Sequence, residues 1–415
     1  MSPSRLAPSP VPSPIRPEAE SAPESGIVEV ANYGRGRPGL IPLWVGEGDA
    51  PTPALVVDAA ARALRDGETF YTWQRGIPEL RAALAAYHER LHGRPFSPDG
   101  FSVTVGGMHA LQIAIRIVAG SGDAVLIPTP AWPNFAGAIG VAGAVPVPVP
   151  MIAADGGWIL DLDRLRAAIT PTTRAIVVNS PSNPTGWTAR KAELAAILDI
   201  ARRHGLWIVA DEIYQRFVHD PDLVERSGRT ASFHDVMEAD DRVLFVGTFS
   251  KNWAMTGWRV GWIEAPPRLG PIIENLVQYS TSGVPTFIQR GAIAALEGGE
   301  EIVAGQVALA RQNRDVLCAA LRATNVVELI PPPGAFYAFF RVDGVTDTRR
   351  LALDIVDSAN VGLAPGSAFG PGGADHVRLC FLRNPDSLAE AARRLASVLP
   401  GLAGRDVASG PGRTA

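Results

Sequence analysis

The chain predicts an α/β protein: a mainly parallel central sheet with helices on both faces, followed by a smaller α+β domain. Two observations lead there. Between Phe101 and Glu264, short apolar runs without polar alternation (SVTV, AVLIP, AIVVN, LWIVAD, VLFVG) are separated by amphipathic helical stretches. That is the pattern of strands buried on both faces beneath crossover helices. After Leu269 the order changes to long helices, then short strands with Gly-rich turns, then one closing helix.

The bulk composition narrows the function. With 415 residues, 47% of them apolar, the chain can bury a sizeable core, and its formal net charge of -4 is no footprint for nucleic acid or an anionic membrane. No apolar run is long enough to span a bilayer. The two cysteines, Cys318 and Cys380, are too few for a disulfide framework, so a cytoplasmic setting is expected, and no metal site is. Residues 1–25 are rich in Pro and Ser and lack an apolar core segment, which predicts a disordered tail. The expected organisation is then an arm joining part of the small domain (26–48), a large domain (49–299), a small domain (300–402) and a flexible end (403–415).

Taken in order, the first motif is a G-x-G-x-x-G at Gly34, Gly36 and Gly39. A dinucleotide fingerprint needs a helix to open there, and Pro38 and Pro42 forbid it. In LWVGEGDAPTP, Gly46 and Gly48 mark turns before a helix from about Pro53 to Arg65. Gly46 either lets backbone approach a ligand closely or only permits the turn. Phe70, Tyr71, Thr72 and Trp73 form an aromatic loop, expected at an interface or over the core. Pro78 and Glu79 then open a helix carrying Leu80, Leu84 and Tyr87 on one face.

In parallel sheets, ligands sit beyond the C-terminal strand ends. The residues delivered to that rim are Gly106 and Gly107, Trp132, Asn183, Asp211 with Tyr214, and Ser250 with Lys251. Each has a plain explanation as core, turn or cap, but six such explanations coinciding on one edge is the weaker account. The segment DRVLFVGTFSKNWAMTGWRVGWIE, Asp241 to Glu264, concentrates the chemistry. Its amine, Lys251, can condense with an aldehyde, while Thr248, Ser250 and Arg259 can hold a phosphate. Arg378 falls mid-strand between Val377 and Leu379, where an unpaired guanidinium is costly. It either pairs with an acid or awaits an anionic ligand.

SKNWAMTGWRVGW resembles the lysine signature of the class I/II aminotransferases, the fold-type-I pyridoxal-phosphate enzymes related to aspartate aminotransferase. NPTG (Asn183 to Gly186), ADEIY (Ala210 to Tyr214), YTWQRGIPELR (Tyr71 to Arg81), VTVGG and HVRLCF follow in the family's order, so the resemblance runs from about Gly46 to Phe381.

The resemblance implies pyridoxal 5′-phosphate joined to the Lys251 amine, which also shuttles the substrate Cα proton. It implies that Asp211 keeps the pyridine nitrogen protonated, that Tyr214 and Asn183 bond the ring's phenolic oxygen, and that Trp132 stacks on the ring. The phosphate would take the Gly107 and Met108 backbone N–H groups with Thr248, Ser250 and Arg259. Arg378 and the Gly46 backbone would hold the substrate α-carboxylate. Tyr71 would reach the phosphate of a second subunit, giving a homodimer with shared active sites. The expected reaction is ping-pong transfer of an amino group between an L-amino acid and a 2-oxo acid. The alternative is a lyase, an elimination or replacement enzyme or an oxidase on the same scaffold, since reaction type depends on how the Cα bonds are oriented. An aminotransferase-like ligand sensor would need an added DNA-binding domain, which the short Pro-rich head does not supply. Trp44, Arg75, Met108 and Tyr279 are candidates for the side-chain pocket. No second arginine announces itself for a dicarboxylate, and aspartate, aromatic and aliphatic donors all stay open.

Overall fold

The structure, a computed structural model, describes residues 15–20 and 22–404. Most of both expected tails lies outside the described residues. Within the head, Pro17–Glu20 form one helical turn, and the Ser25 hydroxyl caps a helix over Gly26–Gly34, accepting from Val28 N–H at 3.4 Å. Helical structure thus begins inside the tail expected over residues 1–25. The helix ends at the first glycine of the G-x-G-x-x-G, and the chain then extends into Ile41–Pro42.

Seven strands form the main sheet: β1 (Phe101–Thr104), β2 (Ala124–Thr129), β3 (Val145–Pro150), β4 (Thr173–Asn179), β5 (Trp207–Asp211), β6 (Val243–Thr248) and β7 (Gly261–Glu264). Their order is β1-β7-β6-β5-β4-β2-β3, parallel from β6 through β3, with β7 antiparallel to both neighbours. Unbroken apolarity in β4 has a direct cause. Ile176 and Val178 pack on one face with Leu194, Ile197 and Ala201 of the helix Lys191–His204, while Ala175 and Val177 face Ala110, Ile113 and Ala114 of the helix Gly106–Val118. Each side chain from Ala175 to Val178 leaves water, whichever face it points to.

Beyond the sheet come helices Gly270–Gln278, Thr286–Gly298 and Glu300–Arg322, the last two separated at Gly299. A four-stranded antiparallel sheet follows: β8 (Val327–Leu329), β9 (Tyr337–Val342), β10 (Ala364–Pro365) and β11 (His376–Cys380), in the order β8-β9-β11-β10. Helices Thr348–Ala359 and Pro385–Leu402 complete this region. Ile41–Pro42 pairs in parallel with Val361–Gly362, which ties the N-terminal arm to it. Among the described residues no helix is long and apolar enough to cross a membrane.

Candidate active site

Register fixes the floor of the site. Asn179, Asp211 and Thr248 are the last residues of β4, β5 and β6, and Asn179 lies opposite Asp211 in the ladder. A cavity of about 430 Å³ opens beyond these ends, closed from the other side by Tyr337 of β9 and Arg378 of β11. Gly46, Trp132, Asn183, Asp211, Tyr214, Ser250, Lys251, Arg259 and Arg378 all line it. Gly107 and Thr248 lie in contact just behind, since a Cβ on Gly107 would stand 3.3 Å from Thr248 Cβ. Met108 lines an adjoining cavity on the far side of Trp132. Tyr71, 96% exposed, does not reach the site of its own chain.

Lys251 follows β6 by three residues and is partly buried, and its Nζ donates to the Gly46 carbonyl at 2.8 Å. Burial pulls the amine down to about 8; the nearby Arg378 acts in the same direction, against Cys380, Glu47 and Asp211. Desolvation is the larger of the two lowering effects and the cationic neighbour the smaller. Asp211 is buried as well, and its carboxyl is pushed up to about 7 by desolvation. It accepts one hydrogen bond, from Ile213 N–H at 3.3 Å. Among the described residues no cation comes within ion-pair distance of it.

Arg378 stands mid-strand opposite Phe339 and Ala364. It donates to Asn183 Oδ1 at 3.1 Å and to the Trp44 carbonyl, and its guanidinium lies over the rings of Tyr337 (4.8 Å) and Phe369 (5.1 Å). No acid pairs with it among the described residues, and its buried Nε has no partner. Of the two expectations, the second fits: this is a preformed receptor for an anion.

A second anion receptor sits at the other end of the cavity. The helix Gly106–Val118 starts without a side-chain cap, leaving its first N–H groups open. Gly106 has φ +76°, and a Cβ there would meet the Arg259 guanidinium at 2.6 Å. Thr248 Oγ1 donates to Ser250 Oγ at 2.9 Å, which aligns two hydroxyls beside the same helix start.

Three contributors escape a sequence reading. Tyr337 Oη bonds Tyr214 Oη at 2.8 Å, yet its run FYAFF reads only as a strand. Asn179 accepts from Asn183 N–H at 2.8 Å and donates to the Asp211 carbonyl at 3.0 Å, bracing both. Ser25, Ile27 and Val28 line the mouth, although their stretch borders on the expected tail. Of the side-chain pocket candidates, Trp44 lines the cavity. Arg75 instead donates to Ser102 Oγ at 3.0 Å and the Phe101 carbonyl at 3.3 Å, a structural role away from the site. Tyr279 is exposed outside it.

Known proteins share both the sequence pattern and this backbone. The model of the family "aminotransferase class I and II" matches residues 38–395. The aspartate/prephenate aminotransferase of Thermus thermophilus is 34% identical over 389 residues, covering 93% of this chain and 97% of the relative. The aspartate aminotransferase of Pyrococcus horikoshii is 32% identical over 365 residues, covering 87% and 91%. A crystal structure of the Thermotoga maritima aspartate aminotransferase superposes with a TM-score of 0.84 at 31% identity, covering 93% of this chain and all of that one. Likeness of this extent in sequence and in backbone assigns the chain to the class I and II aminotransferase family of fold type I, as an enzyme of the aspartate-aminotransferase type.

Proposed function

We propose that the chain moves an amino group from an L-amino acid to a 2-oxo acid in two half-reactions at one site, with pyridoxal 5′-phosphate held at Lys251. The observation that carries this reading is a partly buried amine and a buried carboxyl without an ion-pair partner, facing one cavity that also holds two anion receptors. The residues fit the group. Asp211 lacks the cation that would justify a buried carboxylate, and a protonated pyridine nitrogen would supply it. The open helix start at Gly107 and Met108, with Thr248, Ser250 and Arg259, suits a phosphate. Trp132 would cover one ring face, and Asn183 and Tyr214 would bond the ring's phenolic oxygen.

Bound there, the cofactor would supply an electron sink for the pair left on the substrate Cα when its proton departs. The protein's own groups supply the rest. At pH 7 an amine with a pKa of about 8 is neutral in an appreciable fraction, so Lys251 Nζ can take that proton and return it. Arg378 and Asn183 hold the α-carboxylate and fix the orientation of the Cα bonds. In the ligand-free chain the Gly46 carbonyl holds Nζ in the cavity.

The working unit is a homodimer in the cytoplasm. Phe70, Tyr71, Trp73 and Tyr279 are all exposed on one chain. Large aromatic side chains clustered this way mark an interaction face, and Tyr71 from one subunit would complete the phosphate site of the other. The test is borohydride reduction of the cofactor-loaded protein followed by peptide mapping. The cofactor should be fixed to Lys251, and Lys251→Ala should abolish both fixation and amino transfer. A reduced protein unmodified at Lys251 would overturn the reading.

A further inference from the structure

The cavity accounts for every cation it contains. Lys251, Arg259 and Arg378 are its only lysine and arginine side chains among the described residues. In the reading above, the amine does the chemistry, Arg259 takes the phosphate and Arg378 takes the α-carboxylate. Nothing positive is left for a second carboxylate on the substrate. The remaining charged group at the rim has the opposite sign: Glu47 lines the cavity, and its negative charge is felt at Lys251. The mouth is otherwise uncharged and mostly apolar, with Ile27, Val28 and Val45 beside Trp132 and Pro133, and Ser25 and Asn134 as its polar members.

Two neighbouring surfaces extend this pattern. An adjoining cavity of about 520 Å³ shares Ser25, Trp132, Pro133 and Asn134 with the first and continues past Met108, Ile127 and Phe369. It contains no lysine, arginine or histidine among the described residues. The aromatic loop that a second subunit would bring over the mouth is equally uncharged, since the groove between residues 69–72 and 281–287 is lined by no ionisable group other than the Tyr71 phenol. Arg290 nearby is already paired, with Glu68 at 2.8 Å and Glu79 at 3.2 Å. This groove would therefore bring aromatic surface over the mouth and no lysine or arginine.

We propose that the amino donor is an amino acid with an uncharged apolar or aromatic side chain, not a dicarboxylic one, its side chain lying against Ile27, Val28 and Trp132. This rests on Arg378 being the α-carboxylate receptor. A distal carboxylate would lose its water beside Glu47 with no counter-charge, whereas an apolar side chain gains by leaving water.

The experiment is calorimetric titration of the cofactor-loaded full-length chain with two unreactive carboxylates, 3-phenylpropionate and succinate, alongside kcat/KM for phenylalanine, leucine and aspartate. Phenylpropionate should bind at least tenfold more tightly than succinate, and the neutral donors should exceed aspartate by at least the same factor. Succinate binding as tightly, or aspartate reacting as fast, overturns the proposal. Val28→Arg, at a half-exposed position of the mouth, should raise succinate affinity about tenfold and weaken phenylpropionate, and unchanged affinity for both ligands would overturn the placement of the side chain. Arg378→Ala separates the two layers. If it weakens both ligands, the anchor stands and the ratio judges the side-chain proposal. If it weakens neither, the anchor assignment fails and takes the proposal with it.

Discussion

Gly46 is where the active site is tightest, and Gly46→Ala is the sharpest test of how it is assembled. A Cβ on Gly46 would lie 2.3 Å from Tyr337 Oη and 3.1 Å from Tyr337 Cζ. Unstrained non-bonded contacts settle at about 3.5–4.0 Å, so roughly 1 Å of movement must come from one side or the other. Tyr337 has little room to give, being fully buried, bonded to Tyr214 at 2.8 Å and covered by the Arg378 guanidinium. Overpacking of this kind costs about 1–3 kcal/mol. Breaking the buried Tyr214–Tyr337 bond would add about 1–3 kcal/mol. If the backbone yields instead, the Gly46 carbonyl leaves Lys251 Nζ. Either way groups around the reacting carbon are displaced by about 1 Å, which is worth roughly a hundredfold in rate.

The assay is kcat/KM for the best donor, with a thermal melt as a check on folding. Gly46→Ala should lose about a hundredfold in kcat/KM and about 2–4 kcal/mol in stability. Gly46→Ala/Tyr337→Phe removes the colliding oxygen and should recover much of that loss, with a coupling energy of about 1–2 kcal/mol. Wild-type activity in the single variant, or no recovery in the double, would refute the reasoning.

Three further outcomes are expected. The folded pKa of Asp211, about 7, exceeds the ordinary aspartate value of 3.8, so in the ligand-free protein this group's stability contribution falls as pH rises between those values, with the full penalty above 7. Asp211→Asn should therefore raise the melting temperature of ligand-free protein most at about pH 8 and clearly less at about pH 5, while cofactor-dependent turnover falls; a pH-independent change would count against a buried charge as the cause. Arg378→Leu removes a guanidinium that has no acid partner, so the fold should survive. KM for every carboxylate donor should rise by roughly a hundredfold, as expected for a lost charge-assisted pair worth about 1.5–3 kcal/mol; an unchanged KM would place the anchor elsewhere. Phe70→Asp/Trp73→Asp should shift sedimentation from dimer to monomer and weaken cofactor retention, and an intact dimer would remove this loop from the interface.

The large sheet and its rim were legible because their cause is local. A strand buried on both faces must be apolar throughout, so β4, β5 and β6 announce themselves, and the polar residues that end them stand out by contrast. Arg378 was legible for the opposite reason, a charge where a strand interior does not tolerate one. Tyr337 gave no such sign. It is one aromatic in an aromatic strand, and its partner Tyr214 lies 123 residues away. Arg75 misled because an arginine near a site motif looks available, while its actual partners, Ser102 and Phe101, come from a strand edge that only folding brings alongside. The mouth residues Ile27 and Val28 were obscured by the Pro- and Ser-rich composition just before them.

The sequence by itself determined the sheet, the order of the chemical groups along it and the identity of the amine, carboxyl and guanidinium. Those follow from periodicity and from residue types that make sense only together. The tertiary structure alone decided how these groups differ from their free counterparts. Desolvation lowers Lys251 to about 8 and raises Asp211 to about 7. It also decided that Arg378 faces the cavity with no acid paired to it among the described residues, and that residues from the far N-terminal end, Ile27 and Val28, line the mouth. Burial and contacts between residues hundreds of positions apart depend on how the layers pack, and no local pattern encodes them.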